Sequence, residues 1–105
     1  MENISVTEVL SRLKSGERLH LVDVRRPEEN DEFNIGGILI PLERIQNMEF
    51  DEIEDLKDQE VIIYCRSGNR SMQAALFLET TGFTNVKNLT GGMLDWRDKF
   101  KQTAK

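Results

Sequence analysis

Hydrophobic positions along this chain follow two different periods. Short runs rich in branched apolar residues, at Leu19 to Val24, Ile38 to Ile40, Val61 to Tyr64 and Val86 to Leu89, read as strands. Ile4 to Val6 is either a short first strand or the direct lead into a helix. Between these runs the spacing becomes helical. Val6, Val9, Leu10 and Leu13 form one stripe that Gly16 ends, with Ser5 and Glu8 placed as a capping box. Pro27, followed by Glu28 and Glu29, starts a short helix. Leu42 to Met48 makes a helical turn or two. Phe50, Ile53 and Leu56 continue at helical spacing among Asp51, Glu52, Glu54 and Asp55, a solvated acidic face. Met72, Ala75, Leu76 and Glu79 begin a helix whose middle, Ala74 to Leu78, is apolar on several faces and is expected to be largely buried. Gly82 supplies its C′ position and Phe83 packs back on it. After the Gly91-Gly92 turn, Met93, Trp96 and Phe100 mark a last helix with Trp96 as a core anchor, and Gln102 to Lys105 are expected to fray.

Alternating strands and helices predict a three-layer α/β/α domain with a mainly parallel five-stranded sheet. Val61 to Ile63 has no polar position, which suits a central strand covered on both faces. That strand leads into Cys65, the sole cysteine, at the sheet edge where open α/β folds place their ligands. Arg66, Ser67, Gly68, Asn69, Arg70 and Ser71 follow, and the next helix starts near Arg70 or Ser71. Gly68 permits a positive φ and Asn69 tolerates one, so the loop can turn several backbone N–H groups inward on one anion beside a helix start. If that anion is the Cys65 thiolate, the thiol ionises below its ordinary value and becomes a nucleophile. Arg66 and Arg70 strengthen the field and offer planar donors to an oxyanion. A cysteine after an apolar run is otherwise a small buried hydrophobe, but this much charge and glycine makes poor core material.

Cys65-Arg66-Ser67-Gly68-Asn69-Arg70-Ser71, preceded by Val-Ile-Ile-Tyr, resembles the active-site loop of rhodanese (thiosulfate sulfurtransferase) domains. The resemblance covers nearly the whole chain. Leu21-Val22-Asp23-Val24-Arg25 with Pro27-Glu28-Glu29, then Gly82 to Val86, then Gly91-Gly92-Met93-Leu94-Asp95-Trp96, are similar to further family motifs in the family's order. It implies a strand order of 1-5-4-2-3 and sulfane-sulfur transfer through a persulfide on Cys65, with neither cofactor nor metal. Backbone N–H groups from Arg66 to Arg70 would hold the anion, a small anionic donor such as thiosulfate would supply the sulfur, and a thiol or protein would accept it. It also suggests that Asp23 supports the site by hydrogen bonding and that Arg25 lines it; the residues alone equally allow an Asp–Arg pair that closes the turn. Ser71 completes the loop. Dual-specificity phosphatases of the same fold place five residues between Cys and Arg, whereas four separate Cys65 from Arg70, and the tighter cradle favours sulfur over phosphate.

Phe33-Asn34-Ile35-Gly36-Gly37 departs from the commonest family pattern, Gly-His-Ile-Pro-Gly-Ala. Asn34 stands for the histidine, Gly36 for the proline, and the link to Pro41 is one residue shorter. The variant, with Leu39-Ile40-Pro41-Leu42, resembles rhodanese domains fused to enzymes that activate sulfur-carrier proteins, which implies a role in sulfur relay.

Length and composition narrow these readings. The 105 residues are expected to form one domain, residues 1–105, the single-domain rather than the tandem form. One cysteine excludes an internal disulfide or a resolving thiol, and one histidine leaves no zinc site of the usual kinds. His20, inside the second strand, reads as structural, with a Cys–His pair as the minority alternative. The first ten residues show no signal peptide and no run reaches membrane-spanning length, so a cytoplasmic location without membrane partners is expected. A formal charge of −5 argues against nucleic acid as a partner. Two other functions fit the same fold: a non-catalytic binding module and a small phosphatase.

Overall fold

The computed structural model describes residues 1–100; the expected fraying of Gln102 to Lys105 lies outside the described residues. Five strands, β1 (Glu2–Ile4), β2 (Leu21–Asp23), β3 (Ile38–Leu39), β4 (Glu60–Tyr64) and β5 (Asn85–Leu89), form one sheet in the order β1-β5-β4-β2-β3. All four pairings are parallel, where the sequence suggested a mainly parallel sheet. The helices are α1 (Val6–Lys14), α2 (Pro27–Glu32), α3 (Leu42–Gln46), α4 (Asn69–Thr80) and α5 (Gly92–Phe100). No helix among the described residues is long and apolar enough to cross a membrane.

β4 shows why the sheet is covered on both sides. Its successive side chains point to opposite faces. Val61, Ile63 and Cys65 enter one core with Val22, Ile45, Ala74 and Leu78, whereas Ile62 and Tyr64 enter the other with Val6, Val9, Leu89 and Trp96. α3 and α4 therefore cover one face and α1 and α5 the other. Burying Ile62 and Ile63 alone contributes about 2 kcal/mol each. Trp96 serves as the expected anchor, edge-on to Phe100 at 5.1 Å.

Several boundaries differ from the sequence reading. β2 is shorter than Leu19 to Val24, although ladder bonds from Ile62 N–H to the His20 carbonyl and from Val24 N–H to the Tyr64 carbonyl extend its pairing at both ends. Ile40 likewise lies just past β3. Ile4 ends a true first strand and Ser5 caps α1, its Oγ accepting the Glu8 N–H. The stretch Asp51–Leu56 is a 3₁₀ helix rather than α, with Glu52 and Glu54 paired to Arg44 and Lys57. α4 is less buried than expected, because Met72 and Leu76 face outward. One side of its apolar surface thus remains in solvent.

The segment that departs from the family pattern has a backbone explanation. Gly36 has φ +98°, which proline cannot adopt, and Asn34 holds the turn by accepting the Gly36 N–H through Oδ1 at 2.9 Å. A Cβ on Gly37 would lie 2.1 Å from the Leu21 carbonyl oxygen. The Tyr64 hydroxyl donates to the Gly36 carbonyl at 2.9 Å and fastens this turn to the end of β4. Burial and the nearby Asp23 push that phenol up to about 12, so it remains a donor.

At the opposite end of β4, Glu60 ties three elements together by accepting from Arg12 of α1 and from Lys87 of β5. The Arg12 hydrogen bonds, opposed by partial burial and reinforced by Lys87, push the Glu60 carboxyl down to about 2. A carboxyl lowered on folding stabilises the native state fully above its ordinary value of 4.5 and loses that contribution as pH falls towards about 2. Glu60→Gln is therefore expected to lower the thermal midpoint most at neutral pH, with the difference from wild type shrinking across that acid window. Melts followed by circular dichroism at several pH values check this; a difference independent of pH refutes it.

Candidate active site

The chain leaves β4 at Tyr64, places Cys65 at the carboxyl edge of the sheet, and must reverse into α4 within three residues. Gly68 makes the reversal with φ +103° and serves as N-cap. Asn69 does not need the left-handed conformation it was credited with, because it is already the first helical residue. The helix starts one or two residues earlier than expected, and this shortens the loop around the sulfur.

The orientation of the loop is set from outside. The Met93 and Leu94 N–H groups of the first turn of α5 donate to the carbonyls of Cys65 and Arg66, both at 2.9 Å. So close an approach excludes a side chain at Gly92, where a Cβ would meet the Cys65 carbonyl oxygen at 2.4 Å. With these carbonyls committed to α5, amides on the far side of the loop face the sulfur. Gly68 N–H donates to Cys65 Sγ at 3.0 Å and Ser71 N–H at 3.3 Å. While Cys65 is a thiol it donates to Ser71 Oγ at 3.4 Å and the Ser71 hydroxyl donates to Oδ1 of Asn88 on β5; when Cys65 is a thiolate the same hydroxyl hydrogen turns to Sγ. Asn88, buried within β5, donates in turn to Asn3 at 3.5 Å.

These contacts determine the state of the thiol. Burial alone would push Cys65 up; hydrogen bonds from the Ser71 side chain and from the amides of Ser71, Gly68 and Ser67 outweigh it and hold the thiol below its ordinary value. Within the run from Arg66 to Arg70, the Ser67 and Gly68 amides favour the free thiolate, and Ser71 joins them through both N–H and hydroxyl. The sulfur is therefore held by backbone more than by charge.

The charged side chains form a second layer. Buried Asp23 pairs with Arg25 at 2.9 and 2.8 Å, caps the Arg25 N–H at 3.0 Å and accepts from Asn30 at 3.0 Å. Arg25 also donates to the Phe33 carbonyl and lies over the Tyr64 ring. Asp23 thus closes the turn and makes no contact with Cys65, while Arg25 lines two neighbouring clefts. Arg25 therefore closes the turn with Asp23 and also borders both clefts. Arg70 is held in a bidentate pair by Glu29 at 2.8 and 2.9 Å. The Arg66 side chain has no hydrogen bond or ion pair among the described residues and borders the cleft of about 240 Å³ with Phe33, Met93, Leu94 and Arg97.

His20 is exposed, contacts Gln59 at 3.0 Å, and lies at the amino end of β2, the opposite edge from Cys65, so no Cys–His pair forms. Among the described residues, no three His, Cys, Asp or Glu side chains gather as a metal site. Sequence reasoning missed Glu29 and Asn88. Asn88 carried a signal, a polar residue between Val86 and Leu89 in a strand covered on both faces. Glu29 read only as a helix-start carboxylate, and nothing in sequence indicated that it would meet Arg70.

A parallel α/β domain that holds a lone thiol in backbone amides at the edge of its central strand defines a class of thiolate-based folds. Within that class, the rhodanese-like domain family matches residues 5–99, and the chain belongs to it. A sulfurtransferase from Allochromatium vinosum is 42% identical over 98 residues, 91% of this chain and 89% of that protein. The human thiosulfate:glutathione sulfurtransferase is 30% identical, with 91% and 93% covered. The crystal structure of a rhodanese-like domain protein from Staphylococcus aureus superposes with a TM-score of 0.79 at 29% identity, covering 91% of both chains.

Ser71 contributes two of the contacts that favour the Cys65 thiolate, and its hydroxyl is the one that substitution can remove. Ser71→Ala is expected to move the pH midpoint of Cys65 alkylation upward and to slow alkylation several-fold at neutral pH. The rate of iodoacetamide modification against pH measures this, and an unchanged profile leaves the backbone amides as sole support.

Proposed function

We propose that this protein is a sulfurtransferase that carries sulfane sulfur as a persulfide on Cys65. The observation that supports this most is the convergence of Gly68 and Ser71 N–H groups on Sγ within a rhodanese-like domain. In the first half-reaction the Cys65 thiolate attacks the outer sulfur of thiosulfate or a persulfide donor. A new S–S bond forms, the donor's S–S bond breaks, and sulfite or a thiolate leaves with the electron pair. In the second, an acceptor thiolate attacks the terminal sulfur of the persulfide and Cys65 departs as thiolate. A thiol or a protein is the proposed acceptor, and the reaction as written uses neither metal nor cofactor.

Each residue has a distinct task in this reading. Ser67, Gly68 and Ser71 stabilise negative charge on Cys65 before attack and on the regenerated thiolate. Arg70 and Arg66 bind the oxyanion of the donor and balance the charge of the leaving sulfite. Arg25, fixed by Asp23, shapes the approach. Asn69 supports the cradle as the start of α4 rather than as a donor to sulfur.

The reaction is tested by intact mass after thiosulfate treatment of reduced protein. Wild type is expected to gain one sulfur, about 32 Da and removable by cyanide or a thiol, and Cys65→Ser to gain none. Absence of the adduct with both thiosulfate and a persulfide donor favours the binding module instead. Hydrolysis of an aryl phosphate that disappears in Cys65→Ser favours the phosphatase.

Arg70→Ala is expected to lower thiosulfate turnover by about 10- to 100-fold, while the circular dichroism spectrum stays native. Steady-state rates measure the loss, and unchanged turnover removes Arg70 from the mechanism.

A further inference from the structure

Cys65 is only 1% exposed, yet its proposed donor is a doubly charged anion that must reach Sγ. Two clefts approach the site. One, about 240 Å³, is bordered by Glu29 and Arg66; the other, about 280 Å³, by Arg70; Arg25 borders both. The Glu29–Arg70 pair thus spans the partition between them. Arg70 sits in the first turn of α4 and interacts electrostatically with Cys65.

Of the guanidinium groups that border these clefts, those of Arg25, Arg66 and Arg70 are not equally available. Arg25 is buried and tied to Asp23 and Phe33, so removing its partner would strand a buried charge. Arg66 is already free. Arg70 is the one whose pairing can exchange, because its side chain and that of Glu29 remain 30% and 27% exposed and water can replace the partner at small cost. Both Glu29 oxygens are spent on Arg70, at 2.8 and 2.9 Å, in the arrangement that a sulfonate or carboxylate would require. Oε1 also accepts the Arg26 N–H at 3.0 Å, which keeps the carboxylate in place at the start of α2.

Building on the sulfurtransferase reading, we propose that Glu29 is a positioning and specificity-determining residue: its carboxylate occupies Arg70 in the free protein, and an anionic donor must exchange with it. Glu29 then acts as a built-in competitor. It sets how strongly the site selects anions, and it holds Arg70 in position until one arrives. No bond changes in this step; one anion leaves the guanidinium and another replaces it.

Glu29→Gln keeps an oxygen for the Arg26 N–H while removing the charge, and Glu29→Ala removes both. In each, KM for thiosulfate is expected to fall about threefold to fivefold, with kcat changed by less than about twofold. A loss that is merely structural would instead lower kcat or the melting temperature. The second readout needs no sulfur chemistry: the rate of Cys65 alkylation by anionic iodoacetate relative to neutral iodoacetamide is expected to rise about threefold to fivefold. An unchanged ratio in both folded variants overturns the role of Glu29, even if sulfur transfer proceeds. A raised ratio in a protein that takes up no sulfur keeps the anion competition and overturns the sulfurtransferase reading alone.

Discussion

The thiol of a residue only 1% exposed can stay ionisable only if something replaces the water it has lost, and here that is the direction in which a few peptide groups point. The Cys65 and Arg66 carbonyls turn outward to α5 and the Gly68 and Ser71 amides turn inward to Sγ. These are two halves of one constraint. A peptide group that gives its carbonyl to a neighbouring helix cannot also turn that carbonyl on the thiolate. The Gly91-Gly92 turn, far from Cys65 in sequence, therefore belongs to the site as much as Gly68 does. It allows α5 to approach within hydrogen-bond distance of the loop.

The sheet supplies the rest of this arrangement. Parallel pairing brings the carboxyl ends of β2, β4 and β5 to one edge, so Asp23, Cys65 and the residues after Leu89 meet without any long loop. Asn88 reaches the site from within β5 and accepts the Ser71 hydroxyl hydrogen while Cys65 is a thiol. Buried polar residues within the described chain all have partners, and the chain from Cys65 through Ser71 and Asn88 to Asn3 is one reason. An unsatisfied amide or carboxylate this close to the thiol would compete for the same donors. Satisfaction of the second layer thus protects the first.

Periodicity made four of the strands and most helices legible, because each carries an apolar face that its neighbours must cover, and left open the first strand, which is Glu2–Ile4. The left-handed turn at Gly68 was legible from local chemistry alone, as was a thiol at the carboxyl edge of the sheet, whereas the helix expected near Arg70 or Ser71 starts at Asn69. What was missed depends on which residues face one another across space. Glu29 and Arg70 are 41 positions apart, and neither the short helix at Pro27 nor the loop indicates that they meet. Asn69 tolerates a positive φ but does not use one, because the neighbouring glycine already does so. The departure at Asn34 and Gly36 was visible in sequence, but its compensation, an asparagine-capped turn with a left-handed glycine, is a backbone solution that side-chain patterns do not encode.

The distribution of charge explains why anion selection here must act at short range. The chain carries a formal charge of −5, so its average field repels a divalent anion, and screening confines any local attraction to about 8 Å at physiological salt. The carboxyl edge of the sheet is not simply basic either, since α2 brings Glu28, Glu29, Asp31 and Glu32 beside the arginines. Arg25 answers Asp23, Arg70 answers Glu29, and Arg97 lies 3.7 Å from Glu32. A site balanced in this way does not draw in every anion from solution. Under the proposed exchange it admits one whose geometry on Arg70 is good enough to replace a carboxylate already there, and the cost of displacing Glu29 is then part of the recognition of the donor.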